Sequence, residues 1–289
     1  MKRTRSFLAR RIAFLSSLLF AAGLSAQSFW LDQPDKAHVT LEYLRPDFKE
    51  EGWELKAFTA ILSMRCPVGS RASLVAEIPY SYYYYHYSYS FYFFDEYVAY
   101  EDEDKETSVG NPYVGLEFGD KSRPVYGEVG LRLPLASDKK MGANTVGCYT
   151  DITRAEAFVT DMISASAMLN VRESVPSGLA YRLRFGPVLW FNTEGESGDD
   201  KVELWFNYNA QFGFETDRFL IRGSLMGRLW ATQDELNFGE RTFHQIVLST
   251  ALRVGKCWPG VFVVIPLDDD IKDFMSSVAG LSLSVQLGS

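Results

Sequence analysis

Apolar and polar side chains alternate without interruption from Val202 to Phe214. Val202, Leu204, Phe206, Tyr208, Ala210, Phe212 and Phe214 fall on one face, and Glu203, Trp205, Asn207, Asn209, Gln211 and Gly213 on the other. A period of two is the signature of a strand, whose successive side chains point to opposite faces. Coiled as a helix, the same residues would scatter Phe206, Asn209 and Phe212 with no coherent stripe. The run is about twice the usual strand length of five or six residues, enough to cross a bilayer at a tilt.

The pattern recurs along the chain. Leu179, Tyr181, Leu183, Phe185, Leu189 and Phe191 alternate with Arg182, Arg184 and Gly186; Phe219, Ile221, Leu225 and Leu229 with Arg222, Ser224 and Arg228. Ile246, Leu248, Thr250, Leu252 and Val254 alternate with Ser249 and Arg253, Val129, Leu131 and Leu133 with Glu128, Gly130 and Arg132, and Leu281, Leu283, Val285 and Leu287 with Ser282, Ser284 and Gln286. Fainter alternation marks Val39–Arg45, Leu55–Met64, Leu74–Tyr80, Val114–Phe118, Ala165–Val171 and Val261–Leu267. These segments predict an all-β chain of about twelve strands, an even number, as a closed single-chain outer-membrane barrel requires.

Connection lengths test that prediction independently. Long segments at Asp47–Gly52, Tyr83–Glu106, Ala136–Thr160, Asn192–Asp200, Ala231–Arg241 and Asp268–Ser277 alternate with short ones at Pro67–Gly69, Gly119–Ser122, Glu173–Ser177, Glu215–Asp217 and Gly255–Cys257. Outer-membrane barrels sort their loops this way, with short periplasmic turns and longer extracellular loops, and a soluble sandwich has no reason to. Both termini then lie on the periplasmic side. Within Ala136–Thr160, the stretch Asp151–Phe158 predicts a short helix capped by Thr150 or Asp151. A surface position is preferred for it over an inward-folded partial plug.

The first 26 residues read as a cleaved secretory signal. Lys2, Arg3, Arg5, Arg10 and Arg11 precede an apolar run from Ile12 to Leu24, and Ser25-Ala26 offers a cleavage site before Gln27, with cleavage after Gly23 as the alternative. The apolar run is shorter than the roughly 20 residues of a spanning helix. Residues 27–289 then form one barrel domain. A net charge of −8 excludes nucleic acid as a partner, and the expected partner is outer-membrane lipid. Cys66, Cys148 and Cys257 have no metal-ligand spacing, and no pairing among them is selected. No cofactor or metal is expected; Asp268, Asp269, Asp270 and Asp273 read as a solvated acidic loop.

The polar faces nominate lumen-lining residues: Glu42, Glu77, Glu117, Glu128, Arg132, Arg182, Arg184, Glu203, Asn207, Gln211, Arg222, Arg228, Arg253 and Gln286. Turned inward, their charges avoid the cost of facing lipid. They line a selective channel, or they zip the bore shut as Arg–Glu pairs; the mixed signs leave both open. The tyrosine-rich run through Tyr83, Tyr84, Tyr85, His86 and Tyr87 lies in an extracellular loop, as a recognition surface or as a strand extended beyond the bilayer with an aromatic girdle, the latter preferred. No nucleophile elbow appears, and the chain reads as a non-enzyme. A lipid hydrolase using His244 with Thr242 or Ser249 is the third-ranked alternative.

Val109-Gly110-Asn111-Pro112-Tyr113-Val114-Gly115-Leu116-Glu117-Phe118 resembles a glycine-rich strand of outer-membrane transporters for hydrophobic compounds. These are the phenol-degradation-pathway type and, more distantly, the long-chain fatty-acid channel type. Glu128-Val129-Gly130-Leu131-Arg132-Leu133-Pro134-Leu135-Ala136 looks like the strand that follows it. The resemblance implies passive uptake of a small hydrophobic or aromatic solute. The alternative is a closed structural or surface-recognition barrel.

Overall fold

A computed structural model describes residues 36–49, 53–93, 96–120, 123–193, 202–233 and 235–288. The predicted signal, residues 1–26, lies outside them, as does most of the Asn192–Asp200 connection. Thirteen strands occur among the described residues. The first six are β1 (His38–Phe48), β2 (Trp53–Pro67), β3 (Ala72–Phe93), β4 (Glu96–Val109), β5 (Tyr113–Phe118) and β6 (Val125–Arg132). The others are β7 (Met162–Ser174), β8 (Leu179–Asn192), β9 (Val202–Glu215), β10 (Phe219–Trp230), β11 (Thr242–Leu252), β12 (Cys257–Pro266) and β13 (Met275–Gln286). All pair antiparallel, and β1 closes the ring by bonding both neighbours: Leu41 stands opposite Leu62 of β2 and Leu283 of β13.

Twelve strands make the wall, because β4 and β5 share one place in it. The first part of β3, Ala72–Glu77, pairs with β5, and its outer part, Tyr80–Phe93, pairs with β4. The interruption is Gly110-Asn111-Pro112. Pro112 cannot donate to a ladder, and the two preceding N–H groups bond elsewhere, Gly110 to the Pro79 carbonyl and Asn111 to that of Ala157.

The segment from Tyr83 to Glu106 is a hairpin of two long strands, the extended-strand form preferred for this outer connection. Tyr83, Tyr84, Tyr85, His86 and Tyr87 are all strand residues of β3. Alternation fails to mark them because tyrosine on both faces erases the period-two signal. Phe58 meets Tyr43 at 5.1 Å, Tyr82 at 5.2 Å and Tyr80 at 6.0 Å between ring centroids, an aromatic ladder on the outer face.

The barrel inverts the arrangement of a soluble core. Leu62, Ile78, Leu116, Leu131, Ile221, Leu248 and Leu281 are exposed on the outside, while Glu42, Arg65, Glu77, Glu117, Arg132, Arg182 and Arg228 are buried inside. Apolar-out, polar-in is the arrangement that lipid selects. Two sectors depart from it: Met168, Val188 and Trp205 pack together inside, and a larger group lies elsewhere in the wall. Leu44, Ile61, Val247, Val264, Met275 and Val278 point inward and pack with Ile271 of α2 (Asp269–Phe274). With apolar residues on both faces, β1, β2 and β12 alternate only faintly in the sequence.

Candidate functional site

Two sets of contacts fill the lumen. Nearer the short turns, wall meets wall. Arg65 pairs with Glu117, and Glu215 lies between Arg182 and Arg222. Arg184 Nη1 donates to Glu128 Oε2 at 2.5 Å and to Asn170 Oδ1 at 3.2 Å. Tyr113 Oη donates to the other Glu128 oxygen at 2.6 Å. A Cβ on Gly115 or Gly130 would overlap the Tyr113 ring, so the glycines of the two motif strands make room for that ring in the bore.

Nearer the long connections, the filling is a piece of chain. The segment between β6 and β7 enters the barrel through a 3-10 turn (Asp138–Lys140), helix α1 (Met141–Thr150) and a second 3-10 segment (Ile152–Ala157). The Asp151 side chain caps that segment, accepting from Thr153 N at 3.1 Å and from Arg154 Nε at 2.7 Å. Burial opposes its ionisation, but the charge of Arg154 and these bonds hold the carboxyl below its ordinary value.

Arg154 Nη1 donates to Glu42 of β1 at 2.7 Å and lies 3.5 Å from Glu77 of β3. Arg132 of β6 holds the other Glu77 oxygen at 2.6 Å. Arg228 of β10 donates to the Ile152 carbonyl at 2.8 Å and to Glu156 at 3.3 Å, and Asn207 of β9 donates to the Thr153 carbonyl at 3.1 Å. Asn111, in the β4–β5 interruption, uses both ends of its amide. Its Nδ2 donates to the Glu156 and Val159 carbonyls, and its Oδ1 accepts from Leu135 N and Ala136 N. Phe158 packs so closely on Gly110 and Gly147 that a Cβ at either would overlap its ring.

The segment expected to be a surface helix is thus an inward plug. Its capping residue matches the expectation, but its position does not. Arg154 and Glu156 find charge partners only inside the barrel, and α1 contains no charged residue to face water.

Arg65, Arg132, Arg154, Arg182, Arg184, Arg222 and Arg228 are buried, and Glu42, Glu77, Glu117, Glu128, Asp151 and Glu156, with the less buried Glu215, match them seven to seven. Charges so balanced make a zipper rather than a filter of one sign. A void of about 30 Å³ remains between the two sets, lined by Tyr113, Arg132, Glu156, Arg184, Asn207 and Met226 among others. That is room for about one water.

Of the lumen residues expected from sequence, Glu77, Glu117, Glu128, Arg132, Arg182, Arg184, Gln211, Arg222 and Arg228 are buried in the bore. Asn207 is half-buried against the plug, and Glu203 half-buried at the mouth. Arg253 is a correction. The ladder of β11 ends at Leu252, so Arg253 is exposed in the turn, with its guanidinium over the Trp258 ring at 5.7 Å. His244 and Ser249 project to opposite faces of β11, and the His244 ring nitrogen meets Asp268 at 3.2 Å. Sequence reasoning missed Arg65, although it continues the parity of Thr59, Ile61 and Ser63. It also missed Asn111, Arg154 and Glu156, which period-two parity cannot reach.

Outside the plug lies a vestibule of about 360 Å³, lined by Val159, Asp161, Met162, Trp190, Glu203 and Trp230 among others. Trp205 stacks on Trp230 at 4.9 Å and 14° and meets Trp190 at 4.9 Å, with the Arg228 guanidinium 4.2 Å from its ring centroid.

No family model and no curated protein matches the chain. Among solved structures it is similar to an outer membrane channel from Pseudomonas putida F1, with 9% identity over 91% of this chain and 99% of that one, at a TM-score of 0.58. The NanC porin shares 7% identity over 86% of this chain and 100% of its own, at 0.50. The CymD monoaromatic hydrocarbon channel shares 7% identity over 89% and 90%, at 0.47. At such identities the common property is the fold, and by fold the chain is a closed antiparallel β-barrel of the outer-membrane type.

Proposed function

We propose that this barrel is a gated outer-membrane channel for small hydrophobic or aromatic solutes, held shut by its β6–β7 connection. The observation that carries the reading is the plug itself. It is one continuous segment, joined to the wall at the mouth and gripped by side chains from β1, β3, β6, β9 and β10. A segment attached only at the mouth can swing outward without breaking any strand ladder. Its grip combines the packing of Ile152 in the apolar cluster of Leu44, Ile61, Met226 and Val247 with ion pairs, and buried ion pairs come close to break-even against their own desolvation. Such contacts fix a geometry without creating a very deep well. The tryptophan-lined vestibule directly outside the plug suits a flat apolar solute awaiting entry.

Proteoliposome swelling tests the proposal. Benzyl alcohol and phenol should enter faster than sugars of similar size, and faster still once the plug is loosened by Arg154→Ala. Equal, leak-level rates for all solutes in both proteins would overturn it. A second reading, a permanently closed recognition barrel displaying the β3–β4 hairpin, draws support from the wall-to-wall pairs near the short turns. It expects no swelling from either protein. Neither reading assigns catalysis to the chain.

A further inference from the structure

We infer that the vestibule is a binding site for a small organic cation bearing an apolar or aromatic group, an inference that rests on the channel reading only for its physiological use. Three features converge there. Trp190 and Trp230 line the cavity, and aromatic faces attract cations through their quadrupole. Two carboxylates, Asp161 and Glu203, share the lining, and no lysine or arginine does so among the described residues. The nearby Arg228 lies beneath the tryptophans with its charge engaged by Glu156. Arg241 donates to the Gln233 carbonyl at the rim, so the charged side chains that line the cavity itself are the two carboxylates, set beside aromatic faces. At about 360 Å³ the space falls at the lower end for small-molecule sites, which suits a single substituted ring and excludes a long chain.

The backbone supports a built site. Asp161 is the only non-glycine residue with positive φ among the described residues, at 53°. Its carbonyl accepts both the backbone N–H and the hydroxyl of Thr193 at 2.8 Å. An unfavourable conformation held by two bonds fixes Asp161 at the junction of plug and β7, and such strain concentrates at ligand clamps.

The test is direct binding to the refolded full chain, by tryptophan fluorescence and equilibrium dialysis. The probes are benzyltrimethylammonium, benzyl alcohol, phenylacetate and methyl glucoside. The cation should bind about ten-fold or more tighter than the alcohol, and phenylacetate more weakly than either. Asp161→Asn with Glu203→Gln should lower cation affinity about ten-fold and leave the alcohol unchanged; asparagine tolerates the left-handed backbone at 161, so the variant should fold. Trp230→Leu should weaken both. Equal affinity for cation, alcohol and glucoside, or full cation affinity in the double variant, would overturn the inference. Swelling separates the two proposals. Solute entry with equal binding of cation, alcohol and glucoside removes this one alone, and preferred cation binding without entry removes the channel reading alone.

Discussion

Toward the short turns, every charge that fills the bore belongs to the wall: Arg65 meets Glu117, Arg184 meets Glu128, and Glu215 joins Arg182 to Arg222. Toward the long connections, the wall charges Glu42, Glu77, Arg132 and Arg228 meet residues on an inserted segment. The chemistry is the same in both halves, but the mechanical consequence differs. Wall pairs tie strands to strands and open only by side-chain rearrangement. Plug pairs tie the wall to a tethered element that leaves as a unit. Loss of a pair in the first half should register as lost stability, and loss of one in the second as opening.

Arg154→Ala should give the largest effect. It leaves Glu42, Glu77 and Asp151 without their shared cation, a change expected to cost about 3–5 kcal/mol where a buried pair is broken. Open probability in a planar bilayer should rise sharply. Arg65→Ala sharpens the contrast. It strands Glu117 at about the same cost and should lower the urea midpoint without raising open probability. A rise as large as that of Arg154→Ala would erase the distinction between the halves.

Gly147→Ala is expected to cost about 1–3 kcal/mol by overpacking Phe158, loosening the plug without removing a charge. Conductance should rise, but less than in Arg154→Ala. A smaller effect comes from pH. Because the Asp151 carboxyl sits below its ordinary value of 3.8, its ionised form stabilises the folded plug at every pH above that value. The contribution is lost as pH falls through the depressed value. Openings should therefore become more frequent below pH 3.8, and Asp151→Asn should blunt that response. Tyr85→Phe, which removes a hydroxyl bond to Asp102 in the hairpin, should cost about 1 kcal/mol and leave conductance unchanged.

The barrel was legible because its best strands, β8, β9 and β10, turn their arginines inward, although Val188, Trp205, Leu220 and Met226 also point into the bore. The sorting of long and short connections supplied the orientation. The period-two parity that exposed Glu128, Arg182 and Arg228 follows from the wall alone, and it reached most of the charged lumen residues borne by a clear strand while leaving out Asn209 and Gln245. Beyond the wall it is silent. The Arg154 partners Glu42 and Glu77 lie 112 and 77 residues away in the chain, and nothing local to Asp151–Phe158 states which way the segment folds. The absence of charge in α1 was the one available hint. The tyrosines of β3 read as an extended strand, but a residue that suits both interfaces carries no facing information, so the sequence does not assign their faces.

Single-channel recording on two refolded proteins tests the central claim most directly: the natural chain, and one with residues 138–158 replaced by a flexible linker. Heat-modifiable migration should first confirm a barrel in each. The account predicts a natural chain that is closed with rare openings and a linker variant whose openings are far more frequent, limited only by side-chain rearrangement of the wall pairs near the short turns. A natural chain that conducts steadily, or a linker variant as closed as its parent, would contradict it.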